Sequence, residues 1–452
     1  MTEKSFGTMS IKKLFPKLVI PSIISMLFAS LNMLVDGAIA GKVLGTDALV
    51  AINLVMPFVL TIFALIDILV VGGSIKISIL LGKQDEKNAS RIFSSIIFIN
   101  FIVSLVISIV GILFSKDVIN FFIEEKLLAT NIYEYLKIFL ILLPVTILAQ
   151  ELNFYARVAG HPKISMDSNI MVTIINVILN LMLVVYFKLG ISYIAFATNI
   201  SIIIANLIII YPFITKQYVL KFTKPKIKLK EYLAIMYNGS SDFVANISVS
   251  FMAMITNYYL LKLGGPNAVA ALSIAMYIDM LFMSVIFGTI DAITPVIAYN
   301  YGKKKKKRIL ALWKLTSKVM IIFSLATIVL IILFPDKLVS LFSTEKDPKI
   351  IELAITALMI FAPTYFFAWF NSLVGSFLTA FEKPGPSLLL MILESIIIPL
   401  ILYPILAKLL GLNGIFFALT LAAGLTAIAS MYIWHKYKKP IFGKLIDEDK
   451  II

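Results

Sequence analysis

Seven acidic side chains interrupt long apolar stretches of the sequence, and they are the groups best able to hold a cation or carry a proton. They are Asp36, Asp67, Glu151, Asp242, Asp279, Asp291 and Glu394. A carboxylate among apolar residues is stable only when a proton, a cation or a hydrogen-bond donor compensates its charge. A mainly acidic set therefore predicts a site for a cationic substrate or for a coupling cation.

Asp36 is the most informative of these residues because it follows a long, uninterrupted apolar segment. Counting along the helices places Asn176 and Asn180, four residues apart on one face, at a similar depth. Thr198 on the next helix returns to nearly the same depth. One carboxylate with amide and hydroxyl oxygens suits Na⁺ or a proton relay. The alternative is that these polar groups only join helices through hydrogen bonds.

The other six carboxylates are candidates for lining a substrate cavity. Glu151 lies six residues before Arg157, which offers it a local ion pair. Asp242 follows Gly239-Ser-Ser and could instead be a solvated residue at a helix start. Asp279 and Asp291 are twelve residues apart, so they need not share one face of a helix.

The segments that carry these residues are apolar enough to lie in a membrane. Of the 452 residues, 60% are hydrophobic and 14% are charged, whereas about 25% of the residues of a soluble domain are charged. This composition excludes a secreted enzyme, a nucleic-acid-binding module and a disordered tail. With no cysteine and two histidines, a thiol nucleophile is excluded and a multi-histidine metal site is disfavoured.

Apolar segments of about 20 residues, the length that crosses a bilayer, occur twelve times. They begin near Leu14, Ala48, Ile92, Thr130, Ile164, Ser192, Tyr232, Ala268, Ile309, Ile350, Ser387 and Asn413. The net charge of +15 is concentrated in alternate connections, so the positive-inside rule predicts that both termini are cytoplasmic. The basic run at 303–308 could bind anionic lipid or RNA, but a topology signal is the better interpretation.

An internal repeat relates the two halves of the chain. Residues 45–52 align with residues 265–272, and Leu81-Gly-Lys aligns with Tyr301-Gly-Lys at the same offset of 220. Six helices, an even number, preserve orientation, so the halves are parallel repeats. We expect an all-α polytopic membrane protein with twelve transmembrane helices in two six-helix bundles. The lobes would cover residues 1–215 and 232–452, joined by a basic cytoplasmic linker at 216–231.

This architecture is typical of a transporter whose lobes rock about a central site, and not of an enzyme. No Gly-x-x-x-x-Gly-Lys-Ser/Thr motif occurs, so an ion gradient rather than ATP is expected to drive transport. We expect H⁺ or Na⁺ as the coupling ion and no other cofactor. One chain is sufficient for a two-lobed pathway, which predicts a monomer.

Three motifs resemble those of the multidrug and toxic compound extrusion (MATE) family. They are Asn32-Met-Leu-Val-Asp-Gly, Arg157-Val-Ala-Gly-His-Pro-Lys and Pro295-Val-Ile-Ala-Tyr-Asn-Tyr-Gly. The last is the most specific, and its Asn-Tyr-Gly ending is similar to the MepA-like or DNA-damage-inducible branch. The resemblance covers essentially the whole chain. It implies the fold of the MOP superfamily and export of organic cations from a bacterium, across its plasma membrane, against inward flow of H⁺ or Na⁺.

The resemblance also implies roles for individual residues. The coupling carboxylate of the family carries over to Asp36, and the rest of its N-lobe ion site falls at Asn176, Asn180 and Thr198. Asn180 replaces an Asp of the family pattern, which leaves Asp36 to carry the coupling alone. Glu394 stands where related sequences often have Arg, so the C-terminal lobe is more acidic.

Two other functions have different signatures. A lipid-linked oligosaccharide flippase of the same superfamily binds a pyrophosphate, so Arg or Lys should line its cavity. The acidic interior disfavours that function. A membrane sensor without transport would tolerate substitution of Asp36.

Overall fold

The computed structural model describes residues 2–342 and 347–442, and all regular structure in these two ranges is helical. Fifteen α-helices occur in this part of the chain. They are α1 (Ser5–Thr8), α2 (Ile11–Ile39), α3 (Thr46–Gly82), α4 (Glu86–Phe122), α5 (Lys126–Val158), α6 (Pro162–Asn180), α7 (Ser192–Ile214), α8 (Leu229–Gly302), α9 (Lys306–Leu333), α10 (Pro335–Phe342), α11 (Pro348–Phe361), α12 (Thr364–Ala380), α13 (Pro384–Ile392), α14 (Ile398–Leu410) and α15 (Leu412–Phe442). Three π-helical segments continue α2, α6 and α13, at Ala40–Leu44, Leu181–Tyr186 and Leu393–Ile397.

The described helices other than α1 and α10 form twelve membrane spans. Helix α8 has 74 residues and a non-helical break at Gly265, where φ is 65°, so it supplies two spans of ordinary length. Helices α11 and α12 meet at a bend of 47° and make one broken span. Helices α13 and α14 are joined through a π segment into another. All twelve spans begin within six residues of the predicted starts, which confirms the predicted fold class.

The internal repeat is also present in the backbone. Left-handed residues recur at offsets of 220 to 222, in the pairs Gly45 and Gly265, Gln84 and Lys304, and Gly160 and Glu382. A left-handed conformation costs a residue with a side chain about 1–2 kcal/mol. Its recurrence at equivalent turns therefore confirms that the two halves are repeats of one six-helix unit.

The chain divides into two compact units, Met1–Gly239 and Ser240–Ile452. In the first unit α5 packs against α3, α4 and α7, and α6 packs against α2 and α7. In the second unit α15 packs against α11, α12 and α14. About half of the apolar window of α5 and of α15 is buried inside its unit, so polar side chains on the buried faces of these helices contact other helices rather than lipid.

The segment between α7 and α8 is extended and lies along the start of α4. Ser95 Oγ accepts a hydrogen bond from the backbone N–H of Lys226 at 2.9 Å. Arg91 donates to the Lys226 carbonyl at 2.6 Å and pairs with Glu231 at 3.0 Å. The segment is therefore held against the first unit, and its lysine side chains are exposed.

The turn between α5 and α6 docks on the same segment. His161 stacks on Tyr218, with ring centroids 4.2 Å apart and an interplanar angle of 28°. Tyr218 also packs edge-on against Phe213 at the end of α7. Burial lowers the pKa of His161 to about 4, so the imidazole is neutral at physiological pH.

Candidate functional site

Asp36 lies near the end of α2, and both oxygens of its carboxylate accept hydrogen bonds from other helices. The residue is 8% exposed. Thr198 on α7 donates its hydroxyl to Oδ2 at 2.8 Å, and Asn180 on α6 donates its amide to Oδ1 at 2.8 Å. The carboxylate of Asp36 therefore joins three helices of the first unit.

Asn176 completes a cluster around this carboxylate. It donates to Thr198 Oγ1 at 3.2 Å and accepts a hydrogen bond from Asn180 at 3.1 Å. Both Asn residues are fully buried. The structure thus brings together the four residues that the sequence predicts for an ion site.

This cluster can hold a proton or, after a rearrangement, a sodium ion. A proton on Asp36 needs only one carboxylate oxygen. A sodium ion needs several oxygen ligands, and at present the amide and hydroxyl groups point hydrogen atoms at the carboxylate. The Oδ1 of Asn180 is buried and has no hydrogen-bond partner among the described residues. A turn of the Asn180 amide would bring this oxygen towards a bound cation.

The three π-helical segments of the described residues lie next to predicted site residues or contain one. The first begins four residues after Asp36, the second begins directly after Asn180, and the third contains Glu394. The first two also contact each other. A π segment accommodates an extra residue in a helical turn and occurs frequently at functional sites. The apolar pattern of the sequence carries no sign of these segments.

A cavity of about 350 Å³ within the first unit contains two further predicted carboxylates. Asp67 of α3 and Glu151 of α5 line it, together with Arg157. Glu151 is 3% exposed, and its Oε1 accepts a hydrogen bond from Asn100 of α4. Arg157 lies over the ring of Phe154, with 4.7 Å between the guanidinium carbon and the ring centroid. The cavity is therefore lined by two acids and one base.

The carboxylates of the second unit have different partners. Tyr365 of α12 donates its hydroxyl to Asp279 of α8 at 2.9 Å. Asp242 and Asp291, both on α8, are close enough for their charges to interact, and Asp291 is exposed. The structure therefore places two acidic residues that the sequence left unrelated near each other.

Glu394 binds an Asn whose equivalent occurs in the first unit. Asn371 of α12 donates to Glu394 at 3.0 Å and accepts from Ser430 of α15 at 3.0 Å. Asn153 of α5, at an offset of 218, donates to Asn206 of α7 at 2.9 Å. Each Asn ties its helix to the last span of its own repeat. Recurrence of Asn in apolar segments close to the repeat offset is a signal that could have identified both residues.

A family model decides the family of this chain. The model MatE matches residues 21–182 and residues 243–405, one range in each repeat and together most of the chain. The chain belongs to the MatE family. Its members are membrane transporters, which confirms the predicted resemblance, the multi-span membrane location and the prediction that the protein is not an enzyme.

Relatives in staphylococci match nearly the whole chain. The "Multidrug export protein MepA" of Staphylococcus haemolyticus is 26% identical over 430 residues, covering 92% of this chain and 90% of that protein. The protein of the same name in Staphylococcus aureus is 26% identical over 423 residues, covering 92% and 91%. The MepA-like resemblance is therefore confirmed.

Solved structures match the fold of this MatE chain at similar coverage. A MATE in complex with MaL6 superposes with a TM-score of 0.91 at 21% identity, over 97% of this chain and 99% of that one. An outward-facing multidrug resistance MATE family transporter of the MOP superfamily gives a TM-score of 0.89 at 22% identity, over 96% and 97%. These matches confirm the two-repeat fold.

Proposed function

We propose that this protein is a secondary active exporter of drugs and other organic cations, driven by inward flow of H⁺ or Na⁺. The buried carboxylate of Asp36 is the observation that carries the proposal, because it bonds to α6 and α7 through neutral donors only. The names of the MepA relatives support export of multiple drugs. Family membership supports the transporter fold.

In the proposed cycle Asp36 alternates between an ion-loaded and an ion-free state. In the ion-free state the carboxylate accepts hydrogen bonds from Asn180 and Thr198. Ion uptake displaces at least one of these bonds, each worth about 0.6–2 kcal/mol in a membrane. The change alters how α2, α6 and α7 are tied together, and rocking of the two lobes then exposes the substrate site to the other side.

The distribution of acidic residues supports a cationic substrate. Asp67, Glu151, Asp242, Asp279, Asp291 and Glu394 are the proposed contributors to substrate binding. A pyrophosphate-linked substrate would instead need Arg or Lys for recognition. Glu394 stands where the family often has Arg, and this difference disfavours the flippase function further.

The proposed orientation in the membrane follows from the distribution of basic residues among the segments that connect the helices. We place the protein in a bacterial plasma membrane as a monomer, with both termini and the linker 216–231 in the cytoplasm. Its lobes are residues 1–215 and 232–452. Its partners are small organic cations and membrane lipids, and it has no nucleic-acid partner.

The first test is efflux of ethidium from proteoliposomes or energised cells. We expect the wild-type protein to extrude the dye and Asp36→Asn to lose at least about 90% of the rate, since an amide can neither take up a proton nor hold a cation by charge. Imposed proton and sodium gradients are compared in the same assay. The gradient that drives extrusion identifies the coupling ion.

Asp117→Asn is the matched control, because Asp117 is exposed on α4 and the change in charge is the same. It should extrude ethidium at the wild-type rate at equal expression. If Asp36→Asn also matched the wild type, Asp36 would be structural and the proposed coupling wrong. If the wild type moved no organic cation but moved a lipid-linked oligosaccharide, the flippase function would replace the antiporter.

A further inference from the structure

The cavity of the first unit lies one helical turn from the Asp36 cluster on two helices. Asn32 lines it and precedes Asp36 by four residues on α2, and Ile202 lines it and follows Thr198 by four residues on α7. Residues four apart share a helix face and are about 6 Å apart along the axis. The cavity therefore adjoins the Asp36 cluster on one side, towards the start of α2.

Glu151 lines this cavity and has one unsatisfied carboxylate oxygen. Its Oε1 accepts the hydrogen bond from Asn100, but its Oε2 is buried and has no hydrogen-bond partner among the described residues. Asn32 Oδ1 is a second buried acceptor without a partner in the same part of the chain. A buried anionic oxygen without a donor is costly. A proton on Glu151 removes that charge and supplies a hydroxyl that can donate to water or to a nearby acceptor.

The charged groups that line the cavity around Glu151 have a net negative charge. Asp67 faces it from α3, and the two acidic charges act on each other. Arg157 lines the cavity from α5, and the Tyr155 hydroxyl is close enough to sense the charge of Glu151. The group that α4 contributes is the neutral amide of Asn100. Two carboxylates and one guanidinium carry a net charge of −1, which a single proton neutralises.

The cavity is large and polar enough to hold water. Its volume of about 350 Å³ corresponds to about twelve water molecules at about 30 Å³ each. The amides of Asn153, Asn169 and Asn206 line it together with the charged groups. Asn32 and Thr173 extend this polar lining to about one helical turn from the Asp36 cluster.

We propose that Glu151, with Asp67 beside it, is a second proton site of the first unit, connected to Asp36 through the water of this cavity. The inference rests on the proposed antiport and specifies its ion as H⁺. One free carboxylate oxygen is enough for a proton, whereas a hard cation needs about six oxygen ligands. Glu151 thereby supplies, from α5, the second acidic group that Asn180 does not provide on α6.

The transfer between the two sites moves only a proton. In the loaded state both carboxyl groups are protonated, and Glu151 first releases its proton to water. The O–H bond on Asp36 then breaks, each water of the chain accepts one proton and passes one on, and a new O–H bond forms on Glu151 Oε2. Asp36 returns to a carboxylate that accepts hydrogen bonds from Asn180 and Thr198. Glu151 then gives this second proton to water and becomes a carboxylate again, so two protons are exchanged per cycle.

Infrared spectroscopy tests the site without any transport. The full chain in liposomes, with no substrate and no gradient, is titrated while the carbonyl band of protonated carboxylic acids is recorded. We expect two buried acids: Glu151→Gln removes one band and Asp36→Asn removes the other. Glu134→Gln is the matched control, because Glu134 is exposed on the same helix. If the spectra of Glu151→Gln and wild type are identical, the second site is wrong.

Transport stoichiometry tests the role of the site. With the membrane potential clamped at zero, the ethidium gradient sustained per unit of pH gradient reports the protons exchanged per dye. The slope of the logarithm of the ethidium concentration ratio against the pH difference should fall from about two in the wild type to about one in Glu151→Gln. Asp67→Asn should shift the infrared band of Glu151, and it serves as the second variant if Glu151→Gln does not fold. An unchanged slope in Glu151→Gln overturns the second site and leaves the antiporter proposal standing. The antiporter proposal fails separately, if Asp36→Asn extrudes ethidium at the wild-type rate.

Discussion

At the scale of single residues, the charge of Asp36 is already stabilised by hydrogen bonds from two neutral donors. Asn180 and Thr198 each contribute one hydrogen bond of 2.8 Å to a different carboxylate oxygen. Each such bond is worth about 0.6–2 kcal/mol in a membrane. Ion uptake must therefore rearrange these donors, and this requirement links the chemistry of one carboxyl group to the positions of two helices.

Restoring the acidic residue of the family pattern should change how transport depends on pH. In Asn180→Asp, two carboxylates would lie at hydrogen-bonding distance, where they share one proton and resist losing it together. We expect this variant to keep its proton, and with it its efflux, to a higher external pH than the wild type, and the rate to fall by about tenfold per pH unit once the shared proton is lost. Ethidium efflux measured across a series of external pH values is the test.

Asn180→Leu separates the effect of the added charge from that of the lost amide, because leucine is close to aspartate in size and has no charge. It should be slow at every pH. If Asn180→Asp gave the same pH profile as the wild type, residue 180 would have no part in ion binding.

The residues of the Asp36 cluster could be predicted because the rise of a helix converts sequence position into depth. Counting residues along a helix does not predict which side chains from distant segments form hydrogen bonds with each other. Asn100 and Asn371 bind predicted carboxylates, but neither was predicted, because a polar residue in an apolar helix is compatible with many neighbours. Only the packing of helices far apart in sequence selects one of them.

At the scale of the elements, spans were predicted more accurately than their irregularities. The length of an apolar segment determines where a membrane helix begins, and the twelve starts were predicted within six residues. The π segments were not predicted, because each depends on one inserted residue and on the tertiary contacts that stabilise it. Their positions beside Asp36 and Asn180 and around Glu394 became evident only from the backbone.

The docking of the α5–α6 turn on the linker should make stability depend on pH. His161 has a pKa of about 4 in the folded chain, below its ordinary value of 6.5. Above 6.5 the imidazole is neutral in the folded and the unfolded chain, so its stacking contributes fully. As the pH falls from 6.5 to about 4, the unfolded chain takes up the proton first and stability is lost. The apparent melting temperature should therefore decrease over this window.

His161→Phe should flatten that decrease, because phenylalanine keeps the stack on Tyr218 and cannot be protonated. His435→Phe is the matched control, since His435 is the other histidine of the chain and is exposed. Melting curves of the detergent-solubilised proteins provide the measurement. Equal slopes for His161→Phe and the wild type would contradict the role given to this contact.

At the scale of the whole molecule, the repeat and the distribution of basic residues make a prediction about sidedness. The chain has no cysteine, so a single introduced cysteine reports the location of one connection. Lys87 and Lys116 are exposed at opposite ends of α4. We expect Lys87→Cys to react with a membrane-impermeant maleimide only in inside-out vesicles, and Lys116→Cys only in intact cells.

The two variants are each other's control, because both replace an exposed lysine on the same helix. Labelling of Lys116→Cys in inside-out vesicles would reverse the orientation of the chain. Labelling of both variants from one side would contradict the assignment of α4 as a span.

The linker along α4 has a consequence for the order in which the protein is made. The residues that hold it, from Arg91 and Ser95 to Glu231, all precede the second repeat, residues 232–452. The ribosome therefore synthesises every residue that makes these contacts before it synthesises the second repeat. We infer that the first repeat can fold in the membrane before the helices of the second repeat are inserted.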